Sequence, residues 1–269
     1  MGLVDYHVHT ARCGHAVGKV GEYLRQAERM GLKELGFADH LPLYFLPPEK
    51  RDPGLAMPQT QLGEYVAEIT GLKGKSTVEV KLGIEADYVP GREEELRRLL
   101  SAYPFDYVLG SIHFLDGWGF DNPAEIEGYR GKDLDLLYER YFSLVQRLAS
   151  SRLFDIVAHP DLIKKFGFLP SRNLKLLYEE TVKAIAAADL AVEVNTAGLR
   201  HPVKEIYPAV EFLSLCRRYR VPVTLGSDAH RPEDVGRDFD RALDLLRGVG
   251  YYEVAIFTSR KRHSYRVLI

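Results

Sequence analysis

What most constrains this chain is a rhythm. Short apolar runs, "LVDYHVH", "LKELGFADH", "VEVKLGIEAD", "FDYVLGSIH", "FDIVAHPD", "LAVEVNTAG" and "VPVTLGSDAH", alternate with amphipathic stretches almost from end to end. Runs rich in Val, Ile, Leu and Phe are what strands buried on both faces require. In "KVGEYLRQAERMG", Val20, Tyr23, Leu24, Ala27 and Met30 recur at helical spacing, with Gly31 as the stop. "DLDLLYERYFSLVQRLAS" and "SRNLKLLYEETVKAIAAA" carry the same pattern, with Asp133 and Ser171 as expected N-caps. "PEDVGRDFDRALDLLRGVG" is expected to open a helix at Pro232. Strand then helix, repeated about seven times, predicts an α/β fold in which parallel strands close a barrel, with residues 1–269 as a single domain. An eighth apolar run, "YYEVAIFTS", follows the last helix. Two long segments, 41–59 and 114–132, are rich in Pro and Gly and read as loops over a site.

Composition narrows the partners. The formal charge of −2 and a pI near 6.5 give no global attraction to nucleic acid or to an anionic membrane. No run approaches the roughly 18 apolar residues of a membrane span. No charged-then-apolar leader precedes Leu3, so the cytoplasm is the expected compartment. Two cysteines, Cys13 and Cys216, make no disulfide framework.

The polar residues fall where the barrel argument gives them meaning. His7 and His9 end the first strand, Asp39 and His40 the second, and Glu85 the third. His113 ends the fourth, His159 the fifth, and Asp228 and His230 the last, while His15 lies in the first loop. Seven of the nine histidines thus lie at or just beyond strand C-termini. In a parallel barrel those ends share the face that bears the active site. A lone histidine at a strand end is more often a core or capping residue than a ligand. Seven together, with Glu85 and Asp228, suit divalent transition metals. A single zinc ion takes roughly three or four protein ligands, so this count predicts a cluster of roughly two or three ions. Asp5 and Asp39 are candidates either to orient a neighbouring histidine from behind or to cap a helix. Cys13 would be the odd sulfur among nitrogen and oxygen donors and reads as a bystander. His201 approaches from its loop, and His263 reads as a solvated residue.

The motifs "DYHVHT", "CGH", "FADH", "GIEAD", "GSIHF", "AHPD" and "GSDAH" occur in an order that resembles the PHP (polymerase and histidinol phosphatase) superfamily. "SIHFLDGWGFDNP", "HPDLIKKFG" and "EVNTAGLRHP" further resemble its monofunctional histidinol phosphatase branch. The resemblance implies a distorted, TIM-like (β/α)7 barrel with a trinuclear centre of Zn, Fe or Mn ions. By position it implies one metal on His7, His9, Glu85 and Asp228, and a second on His15, His40 and His230. A third would share Glu85 and add His113 and His159. The implied activity is hydrolysis of L-histidinol phosphate to L-histidinol and phosphate. The expected chemistry is attack of a metal-bridging hydroxide on phosphorus, since the sequence shows no compelling nucleophile constellation. Arg200, Lys164 and Lys165 are the candidate phosphate clamps. Trp118, Phe120, Asp121 and Tyr44 are candidates for the imidazole end of the substrate. The oligomeric state is not legible. The alternatives are a phosphoesterase of the same superfamily acting on nucleotides or sugar phosphates, a metal-dependent amidohydrolase, which also has an early HxH, and a non-enzymatic polymerase accessory. A lysine bridging metals at a mid-barrel strand end, common in amidohydrolases, is not found.

Overall fold

The structure, a computed structural model, describes residues 2–267. Seven strands form one parallel sheet: β1 (Val4–Val8), β2 (Glu34–Phe37), β3 (Glu79–Asp87), β4 (Tyr107–Ser111), β7 (Ile156–Val157), β8 (Ala191–Asn195) and β9 (Val223–Gly226). Two short strands, β5 (Phe114–Leu115) and β6 (Trp118–Gly119), make a hairpin in the long loop after β4. Successive barrel strands are joined by α1 (Val20–Arg29), α2 (Leu62–Thr70), α3 (Glu93–Ser101), α4 (Leu134–Ser150), α5 (Lys175–Ala187) and α6 (Val210–Arg218); α7 (Phe239–Val249) follows β9. The sheet runs β1-β2-β3-β4-β7-β8-β9 and curls until its ends meet. His9 N donates to Ala229 O at 2.9 Å and Ala229 N donates to His7 O at 3.1 Å. This is the expected distorted (β/α)7 barrel. One contiguous hydrophobic core runs from Val4 to Val267. Among the described residues no helix is long and apolar enough to cross a membrane.

The eighth apolar run does not join the barrel. It forms β10 (Glu253–Thr258), paired antiparallel with β11 (Lys261–Arg266). Several of its polar contacts lie where barrel strands begin. Lys81 Nζ donates to Thr258 Oγ1 at 2.8 Å, Arg260 N donates to Asp106 O at 2.8 Å, and Arg262 pairs with Asp189 at 2.7 Å. The hairpin therefore plugs the N-terminal end of the barrel, opposite the face where loops build a site. His263 lies exposed on β11.

Two helix starts differ from expectation. Ser171 does not cap α5: its hydroxyl donates to Asp135 at 2.7 Å, and Asn173 Oδ1 accepts from Lys175 N at 2.8 Å instead. Pro232 opens only a 3-10 turn, Pro232–Asp234, and α7 begins at Phe239. Asp133 caps α4 as expected, accepting from Leu136 N.

Between Asp5 and Val8, β1 spends three steps against two on β2, which is a β-bulge. Its effect is visible in what the side chains reach across the barrel. Tyr6 stacks on Tyr107 of β4 at 4.7 Å, and the next residue, His7, faces Glu85 of β3 and Glu193 of β8. Both consecutive side chains thus point inward, Tyr6 into the lower barrel and His7 into the upper. The Tyr107 ring occupies space left by Gly36 and Gly83, where an added Cβ would overlap it. Gly83→Ala should therefore overpack a buried layer and lower unfolding free energy by about 1–3 kcal/mol. Urea denaturation checks this; an unchanged midpoint would mean the ring has room to move.

Candidate metal centre

Every barrel strand except β8 delivers candidate ligands to the upper opening, and they converge on Glu85. This carboxyl is almost fully buried. Its Oε2 lies 3.3 Å from His7 Nε2, 3.7 Å from His9 Nε2 and 2.9 Å from His40 Nδ1. Its Oε1 lies 3.0 Å from His159 Nε2 and 3.4 Å from His113 Nε2. Asp228 Oδ1 closes the first group, 3.3 Å from His9 Nε2 and 3.7 Å from His7 Nε2. Beyond it, His15 Nε2 and His230 Nε2 face each other at 3.0 Å. The candidate donor atoms of His9, His40 and His230 lie within 4.8 Å of one another. The sequence-predicted positions therefore come together as three overlapping groups, with Glu85 between two of them.

Two of these residues hold uncommon backbone conformations. His159 has φ 25° and Asp228 has φ 54°, in the left-handed region that non-glycine residues rarely enter. Such strain persists where the surroundings fix it, and it clusters at functional sites.

Burial pushes the Glu85 carboxyl up, but the imidazoles of His40, His7 and His113 outweigh it and hold it well below its usual range. Asp228 is likewise depressed, because His7, His9 and His230 overcome its burial. The imidazoles divide. Burial, with help from His230 and His40, lowers His9; burial and His40 lower His15; burial brings His230 down to about 4. For His113, Asp87 and Glu85 overcome burial and raise it to about 10. For His7, Glu193, Asp228 and Glu85 do the same.

The donor set fits divalent metal. His7 Nε2, both ring nitrogens of His9, and Glu85 Oε2 are buried without a hydrogen-bond partner. Orphaned buried polar atoms are costly, and here three of them converge, as ligand atoms aimed at a shared cation would.

Around this floor lies a cavity of about 570 Å³. Arg200, Lys165 and His201 line it together with Asp121, Asn122 and Glu125. Arg200 donates to Ser227 O at 2.5 Å, while its second terminal nitrogen is buried without a partner. Lys165 Nζ pairs with Asp121 at 3.1 Å. Burial, with Lys165 nearby, lowers His201 to about 4.

Several expected roles are corrected by position. Lys164 turns away from the cavity into ion pairs with the buried Asp161 at 2.8 Å and with Glu205 at 3.0 Å, so it cannot also clamp phosphate. Trp118 packs on Tyr129 and donates to Glu125 O at 3.1 Å, which holds the loop down rather than facing a ligand. Tyr44 and Phe120 are likewise buried packing residues. Asp5 is a joint between chain segments: it accepts from Ser227 N and Oγ and from Gly236 N, and reaches only the backbone of His7. Asp39 accepts from the amide and hydroxyl of Thr10 and stands 3.8 Å from His9 Nδ1, behind the ligand shell. Cys13 is fully buried, and burial raises its thiol to about 12.

Two carboxylates were not anticipated. Asp87 holds His113 Nδ1 at 3.1 Å, and Glu193 holds His7 Nδ1 at 2.7 Å. Each had a faint signal. Asp87 lies two residues from Glu85 on one strand, and Glu193 is a lone acid in the apolar run "AVEVN".

A family model of the PHP domain matches residues 5–197. The chain belongs to the PHP family. A PHP-associated model matches residues 212–238. A probable histidinol-phosphatase of Deinococcus radiodurans is 42% identical over 251 residues, covering 93% of this chain and 94% of that protein. The histidinol-phosphatase of Bacillus subtilis is 28% identical, over 89% of this chain and 98% of its own length. These relatives place the chain in the histidinol-phosphatase branch of the PHP family. Its fold is shared by the histidinol phosphate phosphatase of Lactococcus lactis, solved with zinc, L-histidinol and phosphate. That structure has a TM-score of 0.84 at 22% identity and covers 97% of this chain and 98% of that one.

The divided imidazoles give a signed expectation for this PHP chain. His9, His15 and His230 are neutral at neutral pH and already present lone pairs. His7 and His113 hold protons that a metal must displace. Metal titration by calorimetry in buffers of differing ionisation enthalpy should therefore show net proton release. Binding with no proton exchange would contradict the assignment of His7 and His113 as ligands.

Proposed function

We propose that this chain hydrolyses L-histidinol phosphate to L-histidinol and phosphate. The observation that carries the reading is the convergence of orphaned imidazole and carboxylate atoms at the floor of a cavity lined by both cationic and acidic side chains. The ions would be held by His7, His9, Glu85 and Asp228, by His15, His40 and His230, and by His113 and His159 with Glu85. Zinc, iron(II) and manganese(II) all suit these donors. When bound, such ions supply an activated water and concentrated positive charge.

The protein groups do the rest. Arg200 presents an unused guanidinium nitrogen for a phosphoryl oxygen, and Lys165 adds charge to the same cavity. Asp121, Glu125 and Asp234 offer acceptors for the substrate's ammonium and imidazole N–H groups. Among the described residues no serine, threonine, cysteine or tyrosine lines the cavity, which favours water over a hydroxyl or thiol as the nucleophile. The chain would then serve histidine biosynthesis in the cytoplasm.

Three measurements test this. The metal-loaded chain should release phosphate far faster from L-histidinol phosphate than from AMP or a sugar phosphate. The reverse order would favour another phosphoesterase reading. A chiral thiophosphate substrate should invert at phosphorus; retention would point to a phosphorylated side chain. Arg200→Ala should raise KM for the ester by roughly 10-fold or more, consistent with losing a charged hydrogen bond of about 1.5–3 kcal/mol. Unchanged kinetics would remove Arg200 from the site.

A further inference from the structure

Glu193 is fully buried on β8, the one barrel strand that contributes no candidate ligand. An isolated carboxylate there would be strongly unfavourable, yet this one is surrounded by donors. Oε1 lies 2.7 Å from His7 Nδ1. Oε2 accepts from the backbone N of His159 at 2.9 Å and from Asn195 Nδ2 at 3.1 Å. That same amide nitrogen lies 3.4 Å from Asp228 Oδ2. The carboxylate sits so close to β9 that a Cβ at Gly226 would overlap Oε1, so the sequence leaves room for it there.

Three candidate ligands therefore lean on one side chain, and they belong to different groups. His7 Nε2 faces Glu85 Oε2 on one side, with Asp228 Oδ1 3.7 Å from the same nitrogen. His159 faces Oε1 on the other, and its left-handed backbone is pinned by the N–H that Glu193 accepts. A bond at His7 Nδ1 also directs the lone pair of Nε2 towards the centre.

We propose that Glu193 is a positioning residue for the ions on both sides of Glu85, holding His7 by its ring, His159 by its backbone and Asp228 through Asn195. The inference rests on the reading of Glu85 as a carboxylate shared by two ions. Glutamine at 193 keeps the volume and can still accept from His7. Its amide would then set N–H against the N–H of His159 or of Asn195, leaving a donor unmet.

The experiment is zinc titration of the chelated full-length chain and of Glu193→Gln, with bound ions counted by native mass spectrometry and affinities set by a competing chelator. Two of the ions should bind roughly 10–100-fold more weakly in Glu193→Gln, while the ion assigned to His15, His40 and His230 keeps its affinity. Equal affinities in both proteins, or weakening of a single ion, would overturn the proposal. Failure of the parent itself to bind zinc would instead remove the function reading. A readout on the parent guards against a variant that does not fold. With histidine labelled in nitrogen-15, the zinc-loaded parent should show a His7 Nδ1 proton protected from exchange. Its absence also overturns the proposal.

Discussion

The structure depends on one buried carboxylate. Glu85 lies in the upper barrel with five imidazoles within 3.7 Å of its oxygens. His7 Nε2, His9 Nε2 and Glu85 Oε2 converge there without a hydrogen-bond partner, so pairing within the protein leaves these buried atoms unmet. The proposed cations between them would reconcile the geometry, and the neighbouring features hold the donors in place. The bulge in β1 turns His7 inward beside Tyr6. The left-handed turns at His159 and Asp228 bring two further donors over the opening. Asp87, Asp39 and Glu193 stand behind the rings.

The barrel divides its labour by end. At the N-terminal end, the β10–β11 hairpin closes the interior, and Tyr6 joins Glu34 while Lys81 pairs with Glu79 at 2.6 Å. The Tyr6–Glu34 contact is buried and none of these residues lines the cavity, so the end forms a base apart from the site. At the C-terminal end the loops are long and carry the polar walls. The proposed reading puts the chemistry in the floor, which the barrel topology fixes, and discrimination between phosphate esters in the loop residues around it.

This division also explains what could be read from the sequence. That the candidate ligands gather was legible because parallel topology forces strand C-termini together, so a histidine at the end of one run must lie near the others. Glu193 was not, because its partner His7 is 186 residues away and a lone acid in an apolar strand carries no sign of what it meets. Lys164 and Lys165 are adjacent, and only the 3-10 turn at Leu162–Lys164 decides that the first is buried against Asp161 and the second reaches the cavity. Trp118 looked like a ligand contact because it sits in a glycine-rich loop, but its indole N–H is used to close that loop on itself. The eighth run had the composition of a barrel strand; its tight return through Ser259 and Arg260, both at positive φ, pairs it with β11 instead.

The central claim is that Glu85 is shared between ions. Anomalous diffraction from crystals of the zinc-loaded chain tests it most directly. The account predicts two zinc peaks, one against each Glu85 oxygen, with His7, His9 and Asp228 around the first and His113 and His159 around the second. A single ion touching Glu85, or ions that leave it uncoordinated, would contradict it.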